Sequence, residues 1–189
     1  MSWLSQNKLN TVDAKVDTID GIVDAILVDT TAIETKVDTL DTNVDALYDA
    51  ASKVLHRTAS VLPQATKTAY FTVTGKVIIT DVVGEVTTII ENQATVIKLI
   101  STPTVGAPVD LCALLDINND ATGTMLHITG TVGDNMIATT SGAFTAQDLP
   151  IEVAAGTIDL DTDDDLSTGE TKWRLTYVPC DEGSVVTVA

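Results

Sequence analysis

The chain has 189 residues, with 27 Asp and Glu against ten Lys and Arg and a net charge of −17. That balance leaves no basic footprint for nucleic acid and is repelled by an anionic membrane surface. No run of about eighteen apolar residues exists to span a bilayer, and the length suits one domain with an extension or two small modules.

The N-terminal tip, residues 1–7, is short. Met1 to Lys8 has no basic start and no apolar core follows, so no signal peptide is expected and folding in a reducing cytoplasm is the default. Trp3 and Leu4 precede the first full heptad. They read either as a partly covered helix start or as an apolar anchor for another protein.

From Leu9 to Val54 the apolar residues alternate in spacings of three and four, which is the seam of a coiled coil. The a positions are Leu9, Val16, Val23, Thr30, Val37, Val44 and Ala51; the d positions are Val12, Ile19, Ile26, Ile33, Leu40, Leu47 and Val54. Such a rod, roughly 70 Å long at about 1.5 Å per residue, cannot bury its stripe alone. In a parallel bundle the g position of one helix meets the next e of its neighbour, so Lys8 faces Asp13, Lys15 faces Asp20 and Lys36 faces Asp41. Ile22 and Leu27 form an apolar pair of the same kind, which widens the seam. Ile19, Ile26 and Ile33 at d disfavour dimers, whereas Leu40 and Leu47 at d opposite Val37 and Val44 lean toward two strands. The sum reads as a parallel trimer. One heptad is weak: Asp29 and Glu34 repel across the seam around Thr30. Either a continuous helix carries a local polar layer, or Thr31 and Glu34 form a capping box that opens a second, antiparallel helix. The unskipped heptad phase favours the continuous rod.

His56 and Arg57 close the helical pattern with positive charge that complements the helix dipole, and residues 58–68, with Pro63, read as a linker. Beyond it the period shifts toward two. Strand-like runs are Tyr70–Thr74, Lys76–Thr80, Glu85–Ile90, Ala94–Ile100, Val109–Asp116, Met125–Val132, Gly156–Leu160, Lys172–Val178 and Ser184–Val188. Thr72 to Val77 reads as strand, glycine turn and strand, and Gly156–Leu160 with Lys172–Val178 as a hairpin around the loop 161–171. Many short strands over about 120 residues indicate an antiparallel β-sandwich or jelly-roll.

Candidate chemistry is sparse. Asp159, Asp161, Asp163 and Glu170 fall at positions one, three, five and twelve of a calcium loop, but Asp164 stands where that loop needs glycine, and strands replace its helices. A solvated acidic loop is the simpler reading, with no metal expected. Asp116, Asn118 and Asp120 read as a turn. Cys112 and Cys180 have no metal spacing and sit in apolar strand-like contexts as buried thiols. His56 has no partner motif, and His127, in an apparent strand, reads as structural. No nucleophile motif or phosphate loop is present. Of the few aromatics available to stack on sugar, Tyr70, Phe71, Phe144, Trp173 and Tyr177, the last two share one strand face by parity, so Trp173 reads as core rather than platform.

The segments KVIITDVVGEVTTII (76–90), VDLCALLDI (109–117), AAGTIDLDTD (154–163) and TGETKWRLTYVPCDEGSVV (168–186) resemble virion proteins of tailed bacteriophages. A trimeric N-terminal rod joined to a C-terminal β domain also looks like phage fibres and capsid-decorating proteins. The resemblance implies a homotrimer on a virion surface and carries over no catalytic residue.

The reading is therefore α+β by segment: tip 1–7, coiled-coil helix 8–57, linker 58–68 and β-sandwich 69–189. The expected function is a capsid-decorating (cement) or head-fibre protein, not an enzyme, without cofactor. Its partners are its own copies and major capsid or tail proteins, not nucleic acid or membrane, in a virion assembled in the host cytoplasm. The rivals are a tail-fibre or baseplate module that binds a receptor or glycan, and a virion-associated hydrolase.

Overall fold

A computed structural model describes residues 3–163 and 168–189, with the side chains of 4–5 and 45–50 outside the description. One helix, α1 (Trp3–Ala50), precedes twelve strands: β1 (Lys53–Val61), β2 (Lys67–Thr74), β3 (Val77–Thr88), β4 (Val96–Pro103), β5 (Val109–Asp110), β6 (Leu115–Asp116), β7 (Met125–His127), β8 (Ile137–Thr139), β9 (Ile151–Val153), β10 (Gly156–Thr162), β11 (Glu170–Pro179) and β12 (Val185–Val188). The helix and the β region are two compact units that divide between Tyr48 and Asp49.

The helix is unbroken through the weak heptad. Thr31 is not an N-cap there, because its Oγ1 donates back to the Leu27 carbonyl at 3.0 Å. All seven threonines of α1 are tied in this way to the carbonyl four residues earlier, Thr30 to Ile26 at 2.8 Å among them. Each hydroxyl is thus satisfied within its own helix, and the antiparallel hairpin reading falls.

The helix also ends earlier than the heptads suggest. Ala51 and Val54 continue the three-four count, but Lys53–Val61 pairs antiparallel with β11, from Lys53 opposite Tyr177 to Val61 opposite Glu170. Leu55 packs against the core from this strand. His56 and Arg57 therefore lie on a strand, and the last turn of α1 contains no basic residue. The expected linker at 58–68 is in part strand, and the β unit begins some fifteen residues before the expected boundary at 69.

The strands form two antiparallel six-stranded sheets. The first runs β1-β11-β3-β7-β8 with β9 also on β3; the second runs β12-β2-β10-β4-β5 with β6 also on β4. The chain crosses repeatedly between them. β2 and β3 flank the turn at Gly75 as expected, but they belong to different sheets, and so do β10 and β11, which are not the expected hairpin. Gly75 has a φ of 71°, and a Cβ there would meet Ser184 Oγ at 2.3 Å. That close approach admits the turn only as glycine. The expected runs 76–80 and 85–90 merge into the single long strand β3, and 109–116 splits into β5 and β6.

The core lies between the inward faces of the two sheets. Phe71, Tyr70 and Ile158 from the second sheet and Trp173, Leu175, Tyr177, Ile79 and Val82 from the first are buried. Along β11 the alternation Thr171, Trp173, Leu175 and Tyr177 points inward, so Trp173 and Tyr177 are core residues. Trp173 donates Nε1–H to Thr171 Oγ1 at 3.0 Å and meets Tyr70 edge-on at 6.3 Å, and the Arg57 guanidinium lies 4.1 Å over the Tyr70 ring. Such contacts add about 0.5–1.5 kcal/mol to burial alone.

Gly84, opposite Trp173, leaves room for the indole: a Cβ there would sit 2.9 Å from three of its ring carbons. The ring is enclosed, so overpacking cannot relax outward. We expect Gly84→Ala to cost about 1–3 kcal/mol, read as a lower midpoint in chemical denaturation.

Candidate functional site

Two kinds of surface could carry function: the stripe along α1 and the charged or grooved faces of the β unit. Leu9, Val12, Val16, Ile19, Val23, Ile26, Ile33, Val37, Leu40 and Val44 are all exposed on the helix; the Leu47 side chain lies outside the described residues. Ile22, Leu27 and Val28 are exposed as well, which widens the apolar strip in the middle of the rod. Among the described residues, Lys8, Lys15 and Lys36 at the g positions have no ion-pair partner within their own chain. Trp3 is the first helical residue described and is 75% exposed; Leu4 has no described side chain.

The four calcium-loop candidates are not brought together as one shell. Asp159 and Asp161 lie on β10 in the second sheet, and Glu170 begins β11 in the first. Asp159 is buried, accepts the Thr102 hydroxyl at 2.6 Å and lies 3.6 Å from Lys67 Nζ. Lys67 also donates to Thr102 Oγ1 at 3.1 Å. Asp161 is 3.9 Å from Lys98 Nζ, which holds Asp110 at 2.9 Å. Asp163 accepts the Val96 N–H at 2.9 Å, and Glu170 the Thr88 hydroxyl at 3.0 Å. Asp164 and Asp165 lie outside the described residues. Among those described, no three His, Cys, Asp or Glu side chains are grouped to hold a metal ion. The outer face of the second sheet is instead a cross-strand network of two lysines, three aspartates and a threonine. Nothing in the sequence spacing marks it, since its members join β2, β4, β5 and β10 through strand register.

A groove of about 380 Å³ crosses the outer face of the first sheet. His56, Arg174 and Val83 stand in one cross-strand row, and Lys172, Glu85 and Met125 in the next. Its charges are already matched: Arg174 bonds Asp81 at 2.6 Å and Lys172 bonds Glu85 at 2.8 Å. Four of the five aromatics considered for sugar stacking, Tyr70, Phe71, Trp173 and Tyr177, are buried in the core.

Phe144, the fifth, stacks on His127 with centroids 5.0 Å apart. His127 is buried, and its Nδ1 has no hydrogen-bond partner. Burial lowers its pKa, against the opposing pull of Asp81 and Asp148. Cys112 is buried as expected, which pushes its thiol up to about 11, even though Leu99 N–H donates to its sulfur at 3.3 Å. Cys180 is exposed, contrary to expectation, because it sits in the turn just past β11. Across the β unit, Glu91 accepts both the N–H and the hydroxyl of Thr168 at 2.6 Å. Burial pushes this carboxyl up, but those bonds, with one from Gln93, outweigh it and hold the pKa below the usual value.

No helix described is long and apolar enough to cross a membrane. No family description, curated protein or solved structure matches the chain.

The His127 site carries a sign that can be checked. A histidine whose folded pKa is lowered binds fewer protons folded than unfolded, so its contribution is present above about pH 6.5 and is lost as pH falls toward the folded value. We expect wild-type stability to fall between pH 7.5 and 5 more steeply than that of His127→Asn, measured by urea unfolding at each pH. Parallel slopes would show that folding leaves the His127 pKa unshifted.

Proposed function

We propose that this chain is a structural component of a tailed-bacteriophage virion, a capsid-decorating or head-fibre protein. Three copies join through a parallel coiled coil of α1 and display their β units. The observation that carries the reading is the unbroken 48-residue helix whose apolar a and d side chains are exposed at every described position from Leu9 to Val44. A stripe of that length on one face is what a multi-stranded bundle buries, and each apolar side chain it covers stabilises the assembly by about 1.5–3 kcal/mol. The free lysines at g support the parallel register, since each faces an aspartate at e on the neighbour. The resemblance of the β region to virion proteins supplies the setting.

The function is mechanical rather than catalytic. Most charged residues of the groove and of the second sheet's outer face are engaged with one another, and four of the five aromatics of the β unit are in the core. Both facts weigh against the glycan-binding module and the hydrolase. In this reading Trp3 and Leu4 anchor the tip to a capsid or tail protein, where three copies strengthen a weak contact.

Light scattering after size exclusion should give a trimer mass at micromolar concentration; a monomer mass would sink the reading. Ile26→Asp places a charge in a desolvated layer and should dissociate the rod while leaving the β-sheet circular dichroism signal in place. Deleting residues 1–7 should leave the trimer intact, because every seam layer from Leu9 remains. The shortened protein should fail to join virions when supplied in trans, and normal incorporation would place the attachment elsewhere.

A further inference from the structure

The acids of this chain are unevenly placed. Ten fall at or before Asp49 and seventeen at or after Asp81, and the 31 residues from Ala50 to Thr80 contain none. That window holds four of the ten basic residues, Lys53, Arg57, Lys67 and Lys76. It includes all of β1 and β2, and β12, which pairs with β2, is also free of acid. β1 and β12 are each one edge of their sheet, opposite β8 and β5, and they approach each other. The β unit thus has one side, made by β1, β12 and β2, without a carboxylate on its strands. Exposed valines border it: Val54 and Val61 on β1, Val185 and Val188 on β12.

This side begins where the rod ends. Only Ala51 and Ser52 separate α1 from β1, so Lys53 is three Cα steps from Ala50, at most roughly 11 Å. Packed helices have axes about 8–10 Å apart. In a parallel bundle, three β1 strands therefore start within about 30 Å of one another, while a unit of this size has a radius of gyration of about 14 Å. Three such units on so short a tether meet near the axis, at an effective concentration in the millimolar range. With −17 on each copy, approach elsewhere sets carboxylate against carboxylate, whereas the β1/β12 side does not.

We infer that the β1/β12 side of each β unit is a second interface between copies of this chain, closing the three units onto one another at the end of the rod. This rests on the trimeric reading above and adds a surface to it. The pairing is through side chains rather than a continued sheet. The bulge between Arg57 and Ser60 and the Arg57 charge turned inward onto Tyr70 are features that blunt an edge strand against strand addition.

The test uses the full-length protein with Cys180→Ser, in which Cys112 is buried. Single cysteines are placed at Val54 and Val185, and at Val105, which is 88% exposed and lies in the turn after β4. Each variant is first weighed by light scattering and then labelled with a maleimide. In a trimeric sample, labelling at 54 and 185 should be at least tenfold slower than at 105. Rates within threefold of one another in a protein of trimer mass would overturn the second interface and leave the coiled coil standing. A monomer mass would overturn the trimer itself, before any labelling is read.

Discussion

The constraint on which the rest depends is that every side chain described on α1 is exposed. The helix contains seven Thr, six Val and four Ile among 48 residues, and β-branched side chains lower helix propensity by losing rotamers against the preceding turn. Gly21 costs about 1 kcal/mol more. The threonine back-bonds recover hydroxyl satisfaction but not propensity. A helix of this composition gains little from propensity and depends on packing along its stripe; in the assembly proposed above, its folding is tied to association and depends on concentration.

The β unit is held differently. Its strands are short, but the chain passes repeatedly between the two sheets, so each crossing ties one layer to the other and the core is fed from both. Trp173 is the centre of this arrangement: Gly84 makes room for its ring, Thr171 takes its N–H, and Tyr70 closes on it from the opposite sheet with Arg57 stacked behind. A side chain at Gly84 clashes with the ring, loss of the Thr171 hydroxyl leaves the indole N–H unpaired, and truncation of Tyr70 leaves a cavity in a close-packed interior. Helix and β unit thus obey separate rules of stability.

The existence of the helix and of an antiparallel β region was legible because both periods, near 3.5 and near two, persist over long stretches. The boundary was not. Ala51 and Val54 satisfy the heptad count, while Val54, His56 and Thr58 also alternate with inward Leu55 and Arg57. Only pairing with β11, more than a hundred residues away, decides between them. β8 and β9 were missed because their three-residue pairings have no pattern of their own, and β10 and β11 read as a hairpin because only sheet assignment separates them. The buried pair Trp173 and Tyr177 was legible from parity alone. The network joining Lys67, Thr102 and Asp159 was not, since register rather than spacing creates it.

The placement of the basic residues connects these levels. In the β unit every lysine and arginine is engaged: Lys67, Lys76, Lys98, Lys172 and Arg174 with carboxylates, Arg57 with Tyr70, and Lys53 with a partner of its own. Most of these pairs are partly exposed and contribute at most about 1 kcal/mol each, so their chief effect is to leave no free cation to recruit an anionic ligand. In the helix the reverse holds, and Lys8, Lys15 and Lys36 are all unpaired beside an uncovered apolar stripe. In the coiled coil proposed above, a charge of this kind on the flank of the seam selects partner and register. The cations described on the rod are thus left without partners while those of the β unit are engaged, and the unsatisfied groups of the β unit are instead buried polar atoms such as Tyr70 Oη and His127 Nδ1.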